Sequence, residues 1–471
     1  MRALKSGKTY ERIEFWIAIL FVVRLFGIVN PPLELNHHWR QITGLMVSRN
    51  FYEMECNPFY PCVDDNNGGS GIIGMEFPVM NIMYCGMAKL FGYTHWYGRL
   101  INLIVSTLGL LFFAKILRLL KIPEKTVFAS TLFLGVSIWF AFSRKMMPDT
   151  FCISIMLVAL YFGLRYLQGE SVWNLFLYLI FSTIAVLSKI PAAIYMVFLI
   201  PLFFDSNYKL SRRIAIVAIS VIPAASLLWW YFVWNPHLSQ TYGSWYNSGM
   251  SFREGFLETV EHWDAALERW YFDSFYGFIV FALFIIGLVM IFVKKERILI
   301  IIFSFSFLLF LAYVFKSGHN YYNQNYYIIP IVPIMALIAG YAVTLLGKKK
   351  WLFILILVVG SVESIANQQH DFFNPSSQKY KMELENIVNQ VVGKEDLIMV
   401  NGGSDPQMIY LAHRKGWSCD NDKLLDKEYV TQAIQLNCKY MVVDKHLNPS
   451  LPQDKPVVFE NDNYIILALQ E

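Results

Sequence analysis

Eleven apolar runs, each close to the length a helix needs to cross a bilayer, constrain this chain more than any other feature. A hydrocarbon core about 30 Å thick takes roughly 20 helical residues, and inside it every backbone polar group must be satisfied within the segment itself. The runs lie at approximately 13–29, 99–114, 126–142, 150–164, 172–187, 191–204, 214–234, 275–293, 298–314, 326–347 and 351–366. The fifth and sixth are short and define their spans least sharply. The first is followed by Asn30-Pro31-Pro32 and lacks a small-residue cleavage pattern, so it reads as a retained span. Composition agrees: 56% of residues are hydrophobic and only 16% charged, against about 25% charged in soluble globular chains. A soluble multidomain enzyme, a disordered chain and a disulfide miniprotein are all excluded.

The net charge of +4 does not point to nucleic acid, because Lys and Arg sit in short clusters between apolar runs, with the lipid bilayer as their partner. Those clusters set the orientation. The segments 1–12, 115–125, 165–171, 205–213, 294–297 and 348–350 hold 18 Lys and Arg in 46 residues, and the alternating segments hold 9 in 130. The positive-inside rule makes the first set cytoplasmic. The expected protein is therefore multi-pass in the cell (inner) membrane, with a cytoplasmic N-terminus and an extracytoplasmic C-terminus. Residues 1–366 form the transmembrane domain. Its large outer loops are 30–98 and 235–274, and 367–471 is an extracytoplasmic domain.

In the tail, amphipathic spacing over 376–393, an apolar strand ending at Val400, a helix from about Asp405-Pro406, a helix over 427–436 and strands at 440–443, 457–459 and 464–469 predict a small α/β domain. Gly402-Gly403-Ser404 reads as a strand-to-helix turn, with phosphate binding as the sharper alternative. In the first outer loop, 36–53 and 78–92 read as two helices lying along the membrane surface. Cys56 with Cys62, and Cys419 with Cys438, fall outside the cytoplasm, where disulfides form. Free thiols are the alternative, since spacing does not establish the geometry.

Three polar groups lie at outer span ends: Glu34, His37, His38, Arg40, Asp64, Asp65 and Glu76; Arg144-Lys145 with Asp149; and Lys316 to Tyr322, including His319 and Tyr321. Carboxylates beside cations at a membrane edge suit transfer from a lipid-linked phosphate. A base activates the acceptor, and cations stabilise the departing phosphate. Each group has a plainer alternative: Arg144-Lys145 as a headgroup anchor, the tyrosine doublets as an aromatic belt, His37-His38 as water-facing residues, and Glu76 as a helix-start acid. Within spans, Arg24 and Glu363 are the ionisable candidates.

Pro31-Pro32-Leu33-Glu34, His38-Trp39-Arg40-Gln41, Ser48-Arg49-Asn50-Phe51, Glu76-Phe77-Pro78 and Gly98-Arg99-Leu100, followed by Phe142-Ser143-Arg144, Pro148-Asp149, Ser188-Lys189-Ile190-Pro191-Ala192 and His319 to Tyr322, resemble landmarks of a bacterial membrane enzyme family. They are similar to the family 39-like superfamily of protein mannosyltransferases and lipid A aminoarabinose transferases, over roughly residues 10–345. The resemblance implies an α-helical polytopic protein with the C-type glycosyltransferase fold. It also implies inverting transfer of a sugar from a polyprenyl-phosphate donor to a glycan, lipid or protein acceptor of the cell envelope.

Glu76 matches the acidic position before the Pro of the second loop helix and is the first candidate base, with Glu34 second; Asp149 matches the second outer acidic site. Asn36-His37-His38 stands where many relatives carry an acidic pair. Arg144 and Lys145, supported by Arg40, His319, Tyr321 and Tyr322, are the expected donor-phosphate binders. A divalent metal near Glu76, with His262 or His319, follows from some relatives. The competing function is a transporter or flippase of the same lipid-linked sugars, which predicts two similar halves.

Overall fold

Every one of the eleven apolar runs is helical in the computed structural model, which describes residues 9–34, 36–205, 207–244, 249–447, 452 and 455–470. The helices differ in length more than hydropathy foretells. Tyr97–Leu119, Pro148–Leu167, Leu210–Tyr242, Arg297–Ser317 and Asn325–Leu346 are long and apolar enough to cross a membrane. Two bent pairs, Trp263–Asp273 with Phe278–Val293 and Lys350–Ala366 with Gln369–Val388, raise the number from five to seven among the described residues if each is one span. The first run forms the shorter helix Ile13–Arg24, and the sixth winds as a 3₁₀-helix over Ile190–Leu199 continued by Ile200–Phe203. The third run breaks between Glu124–Val136 and Trp139–Phe142. Gln368 satisfies the polar groups this break releases: its Oε1 accepts from Ala141 N at 3.1 Å, and its Nε2 donates to Val136 O at 3.0 Å.

The chain divides into two compact units. The first comprises Met1–Ile28, Arg99–Phe232 and Asn247–Phe372. Its helices pack closely where small residues meet: a Cβ on Gly340 would stand 2.1 Å from Ser130 Oγ, the kind of approach membrane helices use in place of a hydrophobic driving force. The two ionisable groups singled out within spans are structural here. Glu363 accepts from the backbone amides of Phe278 and Ile279 at 3.1 and 3.0 Å and so caps helix Phe278–Val293. Arg24 is fully buried and donates to Ser143 Oγ at 2.7 Å and Leu20 O at 2.9 Å. Glu14, which sequence proximity offered as its partner, instead binds Arg118 at 2.7 Å.

The second unit comprises Val29–Gly98, Val233–Tyr246 and Phe373–Glu471. Its core is a five-stranded sheet in the order β2-β1-β3-β5-β4, with β1 at Leu397–Val400, β2 at Gly416–Ser418, β3 at Cys438–Asp444, β4 at Val457–Glu460 and β5 at Tyr464–Ala468. β1 runs parallel to β2 and β3, and β5 is antiparallel to β3 and β4. Residues 376–393, expected as one helix, instead give a 3₁₀ turn at Ser376–Glu383 and a short helix at Leu384–Val388.

Helix His38–Glu53 does not lie along a surface. Gln41 to Phe51 are buried apart from Gly44, because their polar side chains are satisfied inside the unit. Arg49 donates to Asp64 Oδ2 at 2.6 Å and Tyr410 O at 2.8 Å, with its guanidinium 4.2 Å from the Tyr410 ring centroid. Asn50 donates to Asp64 Oδ1 at 3.0 Å. Asp64, expected among the loop's functional polar residues, is thus a buried counter-ion.

The two expected disulfides are not formed: Cys56, Cys62, Cys419 and Cys438 are unlinked. Cys419 follows β2 and Cys438 opens β3, with β1 between them. Two strand spacings of about 4.8 Å exceed the roughly 7 Å across which a disulfide closes. Cys85 Sγ donates to Phe51 O at 3.2 Å. Cys62 bridges through its backbone to Ile72.

Candidate active site

In the first unit, the stretch from Ser143 to Pro148 joins helix Trp139–Phe142 to helix Pro148–Leu167. Pro at the first helical position and Asp149 in the first turn suit a helix start. Asn102 fixes the turn: its Nδ2 lies 3.0, 2.8 and 3.2 Å from the carbonyls of Phe142, Lys145 and Met147. Five charged side chains are held in and around it. Asp149 Oδ1 accepts from Lys189 Nζ at 2.5 Å, and Lys145 Nζ donates to Asp371 Oδ1 at 2.8 Å. Lys189 lies 4.9 and 5.5 Å from the ring centroids of Tyr326 and Tyr327, and the Arg144 guanidinium 4.0 Å from that of Phe372. Arg144, Lys145 and Asp149 are all buried. Buried cations with aromatic faces beside them can hold an anion strongly, because little water screens them.

The predicted third group does not gather there. Tyr321 is buried edge-on to Phe310, Tyr322 donates to Glu258 Oε2 at 2.8 Å and stacks on His262 at 4.2 Å, and His319 is exposed at the start of helix His319–Asn323. The tyrosines flanking a cation are the next doublet, Tyr326 and Tyr327. Lys189 and Asp371 escaped notice as site residues because their partners lie far away in sequence. Only the Ser-Lys-Ile-Pro-Ala landmark pointed to Lys189.

In the second unit, the polar residues gather at the head of helix His38–Glu53. His37 adopts φ 57° and starts the helix from the left-handed region. Glu34, buried just ahead of it, accepts from Gln41 Nε2 at 2.7 Å. Arg40 is ion-paired with Glu76. His38 Nε2 lies 2.7 Å from Asp405 Oδ2. Asp405 comes from the sheet-bearing tail, in the turn that follows Gly402-Gly403-Ser404. That turn was read as a plain connection, and no sequence signal linked it to His38.

The surroundings of one expected carboxylate differ from those its sequence neighbours suggest. Glu76, the first candidate base by its match to the acidic position before Pro78, has Arg40 beside it, from 36 residues away in the sequence. A cation at contact distance favours the ionised carboxylate and weakens it as a proton acceptor. Among the described residues no three His, Cys, Asp or Glu are arranged to hold a metal ion. Glu76 is engaged by Arg40, and His262 is stacked on Tyr322, with Nδ1 3.2 Å from Glu258 O. No step below is routed through a metal.

Residues 76–230 match the family model described as dolichyl-phosphate-mannose-protein mannosyltransferase. No curated protein sequence matches the chain. Among solved structures, ArnT from Cupriavidus metallidurans in the apo state superposes with a TM-score of 0.60 at 13% identity, covering 97% of this chain and 98% of that one. The same protein bound to undecaprenyl phosphate gives 0.58 at 14% identity, with the same coverage. The Archaeoglobus fulgidus oligosaccharyltransferase, in complex with Zn and sulfate, gives 0.60 at 10% identity, covering 93% of this chain and 68% of that one. The expected resemblance is borne out: the chain has the C-type glycosyltransferase fold and, over residues 76–230, the sequence pattern of the protein mannosyltransferase family.

Proposed function

We propose that this protein is a multi-pass membrane glycosyltransferase that moves a sugar from a polyprenyl-phosphate donor to an extracytoplasmic acceptor with inversion at the anomeric carbon. The observation that carries the reading is the set of cations on the first unit, with Arg144 and Lys145 buried and the Lys189 side chain 11% exposed. It stands in a fold that matches, over nearly its whole length, a protein whose structure holds undecaprenyl phosphate. The N-terminus is cytoplasmic and residues 367–471 lie outside.

In the reaction, an acceptor hydroxyl or amine attacks the anomeric carbon from the face opposite the phosphate. The bond from that carbon to the phosphate oxygen breaks, and its electron pair leaves with the polyprenyl phosphate. Arg144 and Lys189 stabilise the charge that develops there, and donors already oriented before the reaction are worth most in a site sheltered from water. Asn102 holds the turn that presents Arg144. Asp149 and Asp371 hold Lys189 and Lys145 in place. On the second unit, taken by itself, the Arg40–Glu76 pair can bind hydroxyl groups, with one partner donating and the other accepting. The acceptor's proton passes to a general base.

The test is reconstitution of the purified protein in vesicles with polyprenyl-phosphate donors carrying radiolabelled hexoses or pentoses, and with glycan, lipid and protein acceptors. Transfer of label to an acceptor, with release of polyprenyl phosphate, supports the reading. Movement of the intact lipid-linked sugar between leaflets without cleavage would make the protein a flippase.

A further inference from the structure

We infer that the second unit carries a saccharide-binding site built around Asn235. The site belongs to that unit alone and does not depend on the glycosyltransferase reading above.

Asn235 opens helix Asn235–Tyr242, with Pro236 in the first turn. Its side chain is fully buried, and its Nδ2 donates to Met75 O at 2.8 Å. That bond decides which end of the amide is which, since a flipped Oδ1 would face the carbonyl oxygen. Oδ1 therefore faces away from Met75, and among the described residues no donor reaches it. A buried acceptor without a donor costs folding free energy. A ligand that brings an O–H or N–H removes that cost.

The neighbouring side chains form an aromatic platform. Trp234, next to Asn235 in the chain, donates from Nε1 to Phe59 O at 2.9 Å, and its ring meets those of Phe59 and Tyr60 edge-on at centroid distances of 5.9 and 5.6 Å. Tyr60 in turn meets Tyr242, the last residue of the same helix, at 6.4 Å. Phe59, Tyr60 and Tyr242 remain 41%, 37% and 40% exposed. The bonds from Trp234 and Asn235 tie this helix to the first outer loop at Phe59 and Met75. The rings are thus fixed before a ligand arrives, which lowers the entropic cost of binding.

A buried oxygen that only accepts, next to wetted ring surface, selects among ligands. The oxygens of an anion repel Oδ1, and an acyl chain offers it no donor. A sugar ring carries hydroxyls on its rim and C–H bonds on its faces and so meets both features. Hydroxyls also accept, which suits the Arg40–Glu76 pair, Glu76 being next to Met75 in the sequence. Apolar and aromatic walls with a few placed polar groups are the usual make-up of a small-molecule site. An aromatic belt at the membrane interface accounts for exposed rings, but not for a buried amide oxygen without a donor.

The experiment uses the full chain in phosphatidylcholine nanodiscs, because sugar-headed detergents compete for such a site. Oligosaccharides of mannose, glucose, N-acetylglucosamine and arabinose, and a neutral peptide containing Ser and Asn, are titrated by calorimetry. Wild-type protein should bind at least one oligosaccharide with a Kd of about 1 mM or tighter. Tyr60→Ser and Tyr242→Ser, at exposed positions, should each weaken that binding by at least about three-fold. Asn235→Leu should weaken it by about ten-fold, the worth of one hydrogen bond. Because Asn235→Leu also loses the bond to Met75 O, it is compared only if its thermal transition shows it folded; the two tyrosine variants decide the matter without it. A wild-type protein that binds none of the oligosaccharides, or binds the peptide more tightly than any of them, overturns the inference. So does oligosaccharide binding that is unchanged in both tyrosine variants. The glycosyltransferase reading then still stands or falls on the transfer assay alone. A protein that binds an oligosaccharide but transfers no sugar from any donor overturns that reading and leaves the site in place.

Discussion

Lys189 Nζ stands 2.5 Å from Asp149 Oδ1, with the rings of Tyr326 and Tyr327 close to the ammonium. Removing one member of a buried pair leaves an uncompensated charge, at about 3–5 kcal/mol, so Lys189→Met alone mixes a stability loss with any functional one. The double replacement Lys189→Met with Asp149→Leu separates them. Thermal stability should return to within about 1 kcal/mol of wild type, while the donor KM stays raised by roughly 10–100-fold, the worth of a charge-assisted contact. Recovery of the donor KM together with stability would make the pair purely structural.

Arg40 and Glu76 are assigned to one function as a pair. Arg40→Gln and Glu76→Gln should each lower kcat/KM, and the double variant should lose little more than the worse single one. Groups in direct contact couple by roughly 0.5–3 kcal/mol. Strictly additive losses in a double-mutant cycle would mean that the two side chains act separately.

His413 joins parts of the second unit through two carboxylates. Its Nε2 is 2.8 Å from Glu53 Oε1, and its Nδ1 is 2.7 Å from Glu385 Oε1. Hydrogen bonds to Glu385 and then Glu53 raise its pKa above the ordinary 6.5, and burial opposes them. A histidine raised on folding stabilises fully below its unfolded pKa and loses that contribution as pH rises through the folded one. Resistance of the tail to limited proteolysis should therefore fall as pH climbs above about 6.5. In His413→Gln that pH dependence should flatten, and an unchanged profile would contradict the assignment.

Asp65 runs the other way for a carboxylate. Burial pushes its pKa up to about 6, despite the hydrogen bond from Ser418 N at 3.0 Å. The folded unit thus prefers the protonated acid, and the charge opposes folding increasingly as pH rises through about 6. Asp65→Asn keeps an acceptor for Ser418 N and should stabilise the protein by on the order of 1 kcal/mol at pH 8 but not at pH 4. Thermal melts at both pH values decide it.

Much of the architecture was readable from local pattern. Apolar runs of span length have few other fates, and every one of them is helical; the small tail strands show in short β-branched and aromatic stretches such as Tyr464–Ala468. What hid was whatever depends on partners distant along the chain. Helix His38–Glu53 looked half wet because Gln41, Ser48, Arg49 and Asn50 are polar; only the fold reveals Asp64 and Tyr410 to satisfy Arg49. Lys145 finds Asp371 across 226 residues, and His38 finds Asp405 in the tail. β2 has three residues opened by Gly416, too few to show an alternation. The surroundings of Glu76 were hidden for the same reason: no cation stands beside it in the sequence, and Arg40 reaches it in space.

Cysteine chemistry gives an independent check on the sheet. Since β1 separates Cys419 from Cys438, peptide mapping of unreduced protein should find no linkage between them. A disulfide joining these two would require a different strand order.

The most direct measurement is the fate of the phosphate. Wild-type protein in vesicles, given a polyprenyl-phosphate sugar labelled in both the sugar and the lipid, should release labelled polyprenyl phosphate in step with the appearance of labelled sugar on an acceptor, one for one. Arg144→Ala and Lys189→Met should slow both together. Labelled sugar that crosses the bilayer still attached to its lipid, with no polyprenyl phosphate released, would contradict the account.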